Sequence, residues 1–384
     1  MFVTLIGRKI DLNIIIQSFV PLSFNMLSLY LIGCLFDFIS TDDNLKQYPL
    51  ILQSTCLMSF KGNIEVIFAV QIALLREQHG NFKKYISLAF NNTNLLMLQS
   101  FVIGLFIGLL GTAYHGINNG WKYDVGVRIM ISTMFSCIMT TFFFIVLLFC
   151  VVELVRWLEI DEENFIMPSF SSAIDYFNAR FLVICINFFN HISSDTALVF
   201  GSAMIVIATI NLCFSFSSTS FFPSISPSVL LISLLASMFG GSLIQKFSQK
   251  TLFLAVCYPF FCGMSVSITL IFLHRIFTNI EIPTKPVLIN TLIFISLVIS
   301  LIYSLINSFM IESMSLLFPV TFVCMFIVQT YILLMILDNT TLRLKATVKN
   351  IELYSLPLIS NISDILTIFS LIIACKTAEF FEFK

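Results

Sequence analysis

The sequence has few charged residues for its length, and this scarcity excludes most water-soluble architectures. Only 11% of the 384 residues are Asp, Glu, Lys or Arg, whereas 58% are hydrophobic. The mean hydropathy is +0.99. A soluble domain is usually about 25% charged. Too little polar surface remains to cover a globule of this size, so we expect the chain to be embedded in a lipid bilayer.

Other features are missing as well, and each absence removes a class of function. The net charge is −1, with no basic arm or acidic tail, so we expect no nucleic-acid partner. The ten cysteines form no metal-type CxxC pair, and five of them lie inside apolar runs, which is typical of buried thiols. We find no nucleophile–base set, no His-rich acyltransferase motif and no nucleotide-binding loop. The sequence therefore predicts neither an enzyme nor a bound cofactor.

The apolar residues are arranged in long runs separated by charged or Pro- and Asn-rich breaks. They lack the alternation of an outer-membrane barrel, so we expect an all-α polytopic membrane protein. Hydropathy predicts about eleven transmembrane helices, with these approximate limits: 12–39, 50–75, 90–114, 129–155, 166–191, 197–217, 227–245, 252–274, 287–308, 315–337 and 353–375.

Loop charges predict how the chain is oriented. Eleven Lys and Arg residues fall on the N-terminal side of the predicted spans and seven on the opposite side. The positive-inside rule then favours a cytoplasmic N-terminus. Arg8 and Lys9 precede a first apolar segment that is long enough to be a full span, so we expect no cleaved signal peptide. We expect the plasma membrane rather than an organelle membrane.

The second and eighth spans contain polar residues or helix breakers near their centres. Lys61-Gly62-Asn63 interrupts the second span, and Pro259 with Cys262-Gly263-Met264-Ser265 interrupts the eighth. Interrupted segments at corresponding places in two halves of a chain are typical of transporters, where they mark the substrate site. We therefore expect irregular backbone in both spans.

The fifth and eleventh spans share a second pattern. In each, a proline is followed by six residues and then an aspartate: Pro168 and Asp175 in the fifth span, Pro357 and Asp364 in the eleventh. An aspartate near the centre of a membrane helix costs about 2.5–3.5 kcal/mol and marks functional positions. The repeated spacing indicates two related halves.

These residues resemble the solute carrier 41 family, the eukaryotic relatives of MgtE-type magnesium transporters. Phe60 to Val66 is similar to the family's first-unit hallmark, and Pro259 to Thr278 aligns with its second-unit hallmark without a gap. Phe239-Gly240-Gly241 also matches a family motif, as does Asp37 at the end of the first span. The Gly-Gly-Asn of the second hallmark is replaced here by Ser265-Val266-Ser267. The chain thus resembles a diverged member.

The resemblance implies two parallel five-helix MgtE-like repeats. We expect a first repeat at 1–191, a linker transmembrane helix within 192–222 and a second repeat at 223–384. Two five-helix units joined directly would face opposite ways, and the linker helix makes them parallel. The implied function is transport of a divalent cation, Mg²⁺, through a pathway between the two pseudo-symmetric repeats, with the lipid bilayer and the cation as partners.

The implied pathway contains a few acids and amides, as suits an ion that keeps most of its water shell. Asp175 and Asp364 are the main candidates, and Asn63 and Glu65 add first-unit ligands. The weaker candidates are Asp37 and Ser267.

The sequence also allows other interpretations. Asp175 could pair with Arg180 in a purely structural contact, and Lys61 could neutralise Glu65 locally. The chain could also be a diverged, non-transporting membrane protein with a regulatory or receptor-like role, and seven spans rather than about eleven would favour a receptor.

Overall fold

Helices dominate the computed structural model, which describes residues 2–5, 8–61, 68, 72, 82–157, 162–215, 227–248, 252–277, 285–310, 317–344 and 351–382. The eleven α-helices of these ranges follow the predicted spans in order. They are α1 Leu12–Thr41, α2 Leu50–Cys56, α3 Phe82–Asn119, α4 Tyr123–Trp157, α5 Glu162–Asn190, α6 Ser194–Ser215, α7 Pro227–Ser248, α8 Leu252–Phe277, α9 Lys285–Met310, α10 Leu317–Leu344 and α11 Ile351–Glu382.

Nine helices of the described ranges are long and apolar enough to cross a membrane. They are all the helices above except α2 and α7. A chain with this many apolar helices is an integral, multi-pass, helical membrane protein, because a helix satisfies its own backbone hydrogen bonds in lipid. The count of about eleven spans stays a prediction.

A short β-hairpin precedes the first helix and was not predicted. Its strands, β1 Phe2–Leu5 and β2 Arg8–Asp11, pair antiparallel. The Asp11 backbone N–H donates to Thr291 Oγ1 of α9 at 3.0 Å. The hairpin therefore ends in a fixed contact with α9, directly before α1 begins.

The second predicted span is irregular up to Lys61, the first residue of the predicted break. The α-helical hydrogen bonding of α2 ends at Cys56, and a π-helical turn follows at Leu57–Lys61. Such π-helical turns are rare and often occur at functional sites. Gly62 and Asn63 lie outside the described residues.

The interruption predicted in the eighth span is wrong, because α8 is one continuous helix with Pro259 inside it. Proline removes one helical N–H, and a buried helix tolerates that loss when neighbouring side chains satisfy backbone groups nearby. Tyr303 Oη of α9 donates to the Val256 carbonyl at 3.1 Å, within one turn of Pro259. The Tyr303 ring also stacks on Phe260, with ring centroids 3.8 Å apart. The part of α8 next to Pro259 is therefore packed closely against α9.

The chain divides into two compact units that differ from the two sequence halves. Unit 1 comprises Met1–Asp37, Asn164–Ala173 and Lys246–Lys384, and unit 2 comprises Phe38–Glu163 and Ile174–Gln245. Unit 1 therefore contains α1 with α8–α11, and unit 2 contains α7 with α2–α4, α6 and most of α5. The predicted repeats remain a prediction. The first helix of the predicted first repeat, α1, lies in unit 1 with α8–α11, and the first helix of the predicted second repeat, α7, lies in unit 2 with α2–α4.

Close contacts at glycines hold these first helices in their units. In unit 1, a Cβ at Gly33 of α1 would overlap the Val256 carbonyl of α8. In unit 2, a Cβ at Gly241 of α7 would overlap the Thr55 hydroxyl of α2. Small residues let membrane helices approach this closely, and the resulting van der Waals contact replaces the hydrophobic effect that lipid does not supply.

At one end of unit 2, polar contacts connect a loop and the ends of two helices. Tyr48 Oη donates to Asn190 Oδ1 at 2.6 Å, and Arg128 Nη1 donates to the same oxygen at 3.2 Å. The α1–α2 loop, the start of α4 and the end of α5 therefore lie on one side, as alternating spans require.

Candidate functional site

Asp364 lies on α11 with its side chain fully buried in unit 1. Its Oδ1 accepts a hydrogen bond from Tyr258 Oη at 3.1 Å and another from Cys262 Sγ at 2.8 Å. Tyr258 and Cys262 are four residues apart on α8, so one face of that helix presents both donors. A buried carboxyl group in a membrane helix is thereby held by two neutral donors.

A network of one amide and three hydroxyls connects α8, α10 and α11 and includes Ser363, the residue directly before Asp364. Gln329 Nε2 of α10 donates to Thr367 Oγ1 at 2.7 Å and to Ser265 Oγ at 3.3 Å. Ser265 and Ser363 form a hydroxyl–hydroxyl hydrogen bond of 2.8 Å. The polar face of α8 therefore extends to Ser265, and α10 and α11 supply its partners.

Asp175 is the corresponding aspartate of unit 2. It lies on α5 and is 9% exposed, and Ser172 and Asn178 are buried one turn away on each side. Arg180 is exposed on another part of the helix surface. Because Asp175 is buried and Arg180 is exposed, a structural pair between them is a poor explanation for an aspartate inside a membrane helix.

Lys61 brings a positive charge to the same part of unit 2. Its side chain is 1% exposed, and Nζ donates to Thr140 Oγ1 of α4 at 2.9 Å and to Asn178 Oδ1 of α5 at 2.8 Å. The π-helical turn at Leu57–Lys61 thus ends at a lysine whose ammonium contacts Asn178, the residue one helical turn after Asp175. The sequence indicated Lys61 as a neighbour of Glu65, but it did not indicate these contacts with α4 and α5.

The two polar clusters occupy corresponding positions in the chain. Asp364 follows Asp175 by 189 residues, and the same interval separates Asn178 from Thr367 and Thr140 from Gln329. At this interval, buried residues of α4 correspond to buried residues of α10, and buried residues of α5 correspond to buried residues of α11. The matching residues are Ile129 and Phe318, Cys137 and Phe326, Phe144 and Leu333, Leu148 and Leu337, Ala179 and Ile368, and Leu182 and Leu371.

The weaker candidates lie elsewhere. Asp37 is partly buried in the last turn of α1. Ser267 accepts a hydrogen bond from Asn25 of α1, so it faces that helix rather than Asp364. Arg275, at the end of α8, donates to Gln17 Oε1 at 2.6 Å. Asn63 and Glu65 lie outside the described residues, and their predicted role stays a prediction.

A cluster of three or more His, Cys, Asp or Glu side chains that could hold a metal ion does not occur in the described ranges. The polar groups around Asp364 are instead mostly neutral: a phenol, a thiol, hydroxyls and an amide. Sequence reasoning missed Tyr258 and Gln329 in particular. The available signal was polar side chains at helical spacing in otherwise apolar spans.

Comparison with known proteins gives no match: no family model fits the chain, and neither a curated protein nor a solved structure is significantly similar to it.

Proposed function

We propose that this protein transports a divalent cation, Mg²⁺, across a membrane along a pathway lined by Asp175 and Asp364. The observation that carries the proposal is the buried Asp364 carboxyl group inside a membrane helix, held by Tyr258 and Cys262. An intramembrane carboxylate is costly and is usually retained for an ion or proton pathway.

The corresponding position of Asp175 supports the same proposal. Both aspartates are buried, both follow a proline by seven positions, and both lie on the last helix of a predicted repeat. Two carboxylates can balance the charge of one divalent cation, and Mg²⁺ uses few protein carboxylates because it keeps most of its water. The predicted organisation into two parallel repeats with a linker helix is part of this proposal, as is the placement of the pathway between them.

The test is Mg²⁺ flux into liposomes that contain the purified protein and a fluorescent Mg²⁺ indicator. We expect flux with the wild-type protein and its loss, by at least about 100-fold, in Asp364→Asn and Asp175→Asn. The matched control is Asp195→Asn in the first turn of α6, an exposed aspartate that should leave flux unchanged.

Two results would contradict the proposal in different ways. Unchanged flux in both site variants would remove these aspartates from the pathway. An inactive wild-type protein that is folded and inserted would favour the non-transporting, regulatory or receptor-like alternative.

A further inference from the structure

Three buried polar atoms of unit 2 belong to side chains of α2, α4 and α5. Gln53 of α2 and Ser136 of α4 are 0% exposed, and Asn178 of α5 is 1% exposed. Among the described residues, Gln53 Oε1, Ser136 Oγ and Asn178 Nδ2 are buried atoms that form no hydrogen bond. Such an atom gives up its hydrogen bonds to water on folding and gains none in return, so each one needs a physical explanation.

Hydrogen bonds between α2 and α4 place Gln53 and Ser136 in one region. Gln53 Nε2 donates to Thr133 Oγ1 at 2.6 Å, and Lys61 Nζ donates to Thr140 Oγ1 at 2.9 Å. The segment from Gln53 to Lys61 therefore runs beside the segment of α4 from Thr133 to Thr140. Ser136 lies three residues after Thr133 and four before Thr140, which puts it on the same face of α4, between the two contacts.

Asn178 of α5 reaches the same region, because its Oδ1 accepts a hydrogen bond from Lys61 Nζ at 2.8 Å. The backbone there is irregular as well, since the π-helical turn at Leu57–Lys61 follows α2. Irregular backbone at membrane depth is tolerated where it is buried in protein or lines a water-filled cavity. The backbone and the side chains of this region therefore both suit bound water.

Unit 1 fills the corresponding positions with aromatic rings. At the interval of 189 residues, Thr133 corresponds to Phe322 and Cys137 corresponds to Phe326. The Phe261 ring lies against both phenylalanines, with centroids 4.8 Å from that of Phe322 and 5.4 Å from that of Phe326. The same stretch of the two corresponding helices is thus polar in unit 2 and closely packed with apolar rings in unit 1.

We propose that unit 2 binds a short file of water molecules between α2, α4 and α5, from Gln53 to Asn178, and that the corresponding region of unit 1 is dry. A buried water typically makes about three hydrogen bonds to polar groups that would otherwise lack partners. Water can donate to Gln53 Oε1, accept from Asn178 Nδ2 and do either at Ser136 Oγ. This internal water site requires no cation and does not depend on the proposed transport function.

Hydroxyl-radical labelling of the wild-type protein in liposomes tests the site, because radicals that form at a bound water oxidise nearby sulfur atoms. Cys56 lies three residues after Gln53 and Cys137 lies four after Thr133, so both are on the helix faces that carry the site. Both are buried, and Cys257 of unit 1 is an equally buried control. We expect Cys56 and Cys137 to be oxidised at least about tenfold faster than Cys257, as measured by mass spectrometry of the peptides.

A variant that fills the site distinguishes bound water from other routes of radical access. Ser136→Leu gives α4 a large apolar residue, as α10 has in Met325 at the corresponding position, without adding a sulfur atom. It should reduce the oxidation of both unit 2 cysteines to the rate of the control cysteine. Ser136→Val is the smaller replacement if leucine does not fit. The matched control is Ser296→Val, at a buried serine of unit 1 whose hydroxyl donates to a carbonyl of its own helix at 2.7 Å, and it should leave the rates unchanged.

The outcomes bear on this site separately from the proposed function. Equal oxidation of Cys137 and Cys257 in the folded wild-type protein would overturn the internal water site. Rates that stay high in a folded Ser136 variant would also overturn it, because the radicals would then reach the sulfur atoms by another route. If neither Ser136 variant folds, the wild-type comparison decides. A protein that shows the labelling difference and does not transport Mg²⁺ would contradict the proposed function alone.

Discussion

Gln329 Nε2 donates to Thr367 Oγ1 at 2.7 Å and connects α10 to α11 three residues from the buried Asp364. The same nitrogen reaches Ser265 of α8, so one amide joins three helices of unit 1. This arrangement makes Gln329 the central donor of the polar network that connects α8, α10 and α11.

Replacing Gln329 with leucine should destabilise unit 1. The change removes these two hydrogen bonds and a third, to the Phe261 carbonyl at 3.4 Å. Buried hydroxyls are left with fewer partners, at a cost of about 1–3 kcal/mol. Thermal unfolding in detergent measures the effect. The control is Gln47→Leu in the exposed α1–α2 loop, which should leave the midpoint within about 1 °C. A similar midpoint for both variants would show that the amide is not needed.

Cys262 should be replaceable by serine but not by alanine. Its thiol donates to Asp364 Oδ1 at 2.8 Å, and a serine hydroxyl can donate in the same place, whereas alanine cannot. We expect Cys262→Ala to lower stability by about 1 kcal/mol or more and to impair Mg²⁺ flux, and Cys262→Ser to retain most of both. Thermal unfolding and liposome flux give the two measurements. Equal behaviour of the two variants would show that the donor has no role.

Gly33 and Gly241 should not tolerate a methyl group. A Cβ at Gly33 would overlap the Val256 carbonyl, and a Cβ at Gly241 would overlap Thr55, so alanine at either position forces two helices apart. Overpacking of this kind costs about 1–3 kcal/mol.

The control for both is Gly201→Ala, whose Cβ would lie 3.2 Å from the flexible Ile131 side chain. Combining Gly241→Ala with Thr55→Ala should recover part of the lost stability, because the hydroxyl that the new Cβ meets is then absent. Full stability of the single variants in a thermal unfolding assay would rule out the tight packing at these glycines.

Tyr303 should stabilise α8 next to its proline. Tyr303→Phe keeps the ring that stacks on Phe260 but removes the hydrogen bond to the Val256 carbonyl. We expect a loss of about 1 kcal/mol in the free energy of unfolding. The matched control is Tyr331→Phe, at a ring that is 45% exposed, and it should have no effect. A loss of equal size at both positions would point to a general effect of the hydroxyl.

Membrane topology follows from the polar contacts at one end of unit 2. Single cysteines at Gln47, Lys122 and His191, in a background without native cysteines, should react with a membrane-impermeant thiol reagent from the same side. A cysteine at Trp157, at the other end of α4, should react from the opposite side. Labelling of Lys122 and Trp157 from one side would show that α4 does not cross the membrane.

Hydropathy and residue spacing were enough to predict the helical class, the approximate limits of the helices and the two proline-spaced aspartates. Hydropathy and helix length are local properties, because each membrane helix must satisfy its own backbone and match the bilayer over about 20 residues. The irregular backbone near Lys61 could also be predicted, because a local cluster of polar residues interrupts an apolar span there.

The contacts between side chains depend on how the helices pack, and the sequence did not reveal them. The sequence predicted a break at Pro259, but α8 is continuous there, and Tyr303 of another helix packs against it. It placed Lys61 near Glu65 and gave no sign of the contacts with Thr140 and Asn178. Rotation and packing of a helix depend on glycine contacts and long-range hydrogen bonds, which hydropathy does not encode. The division into units that exchange α1 and α7 follows from the same packing.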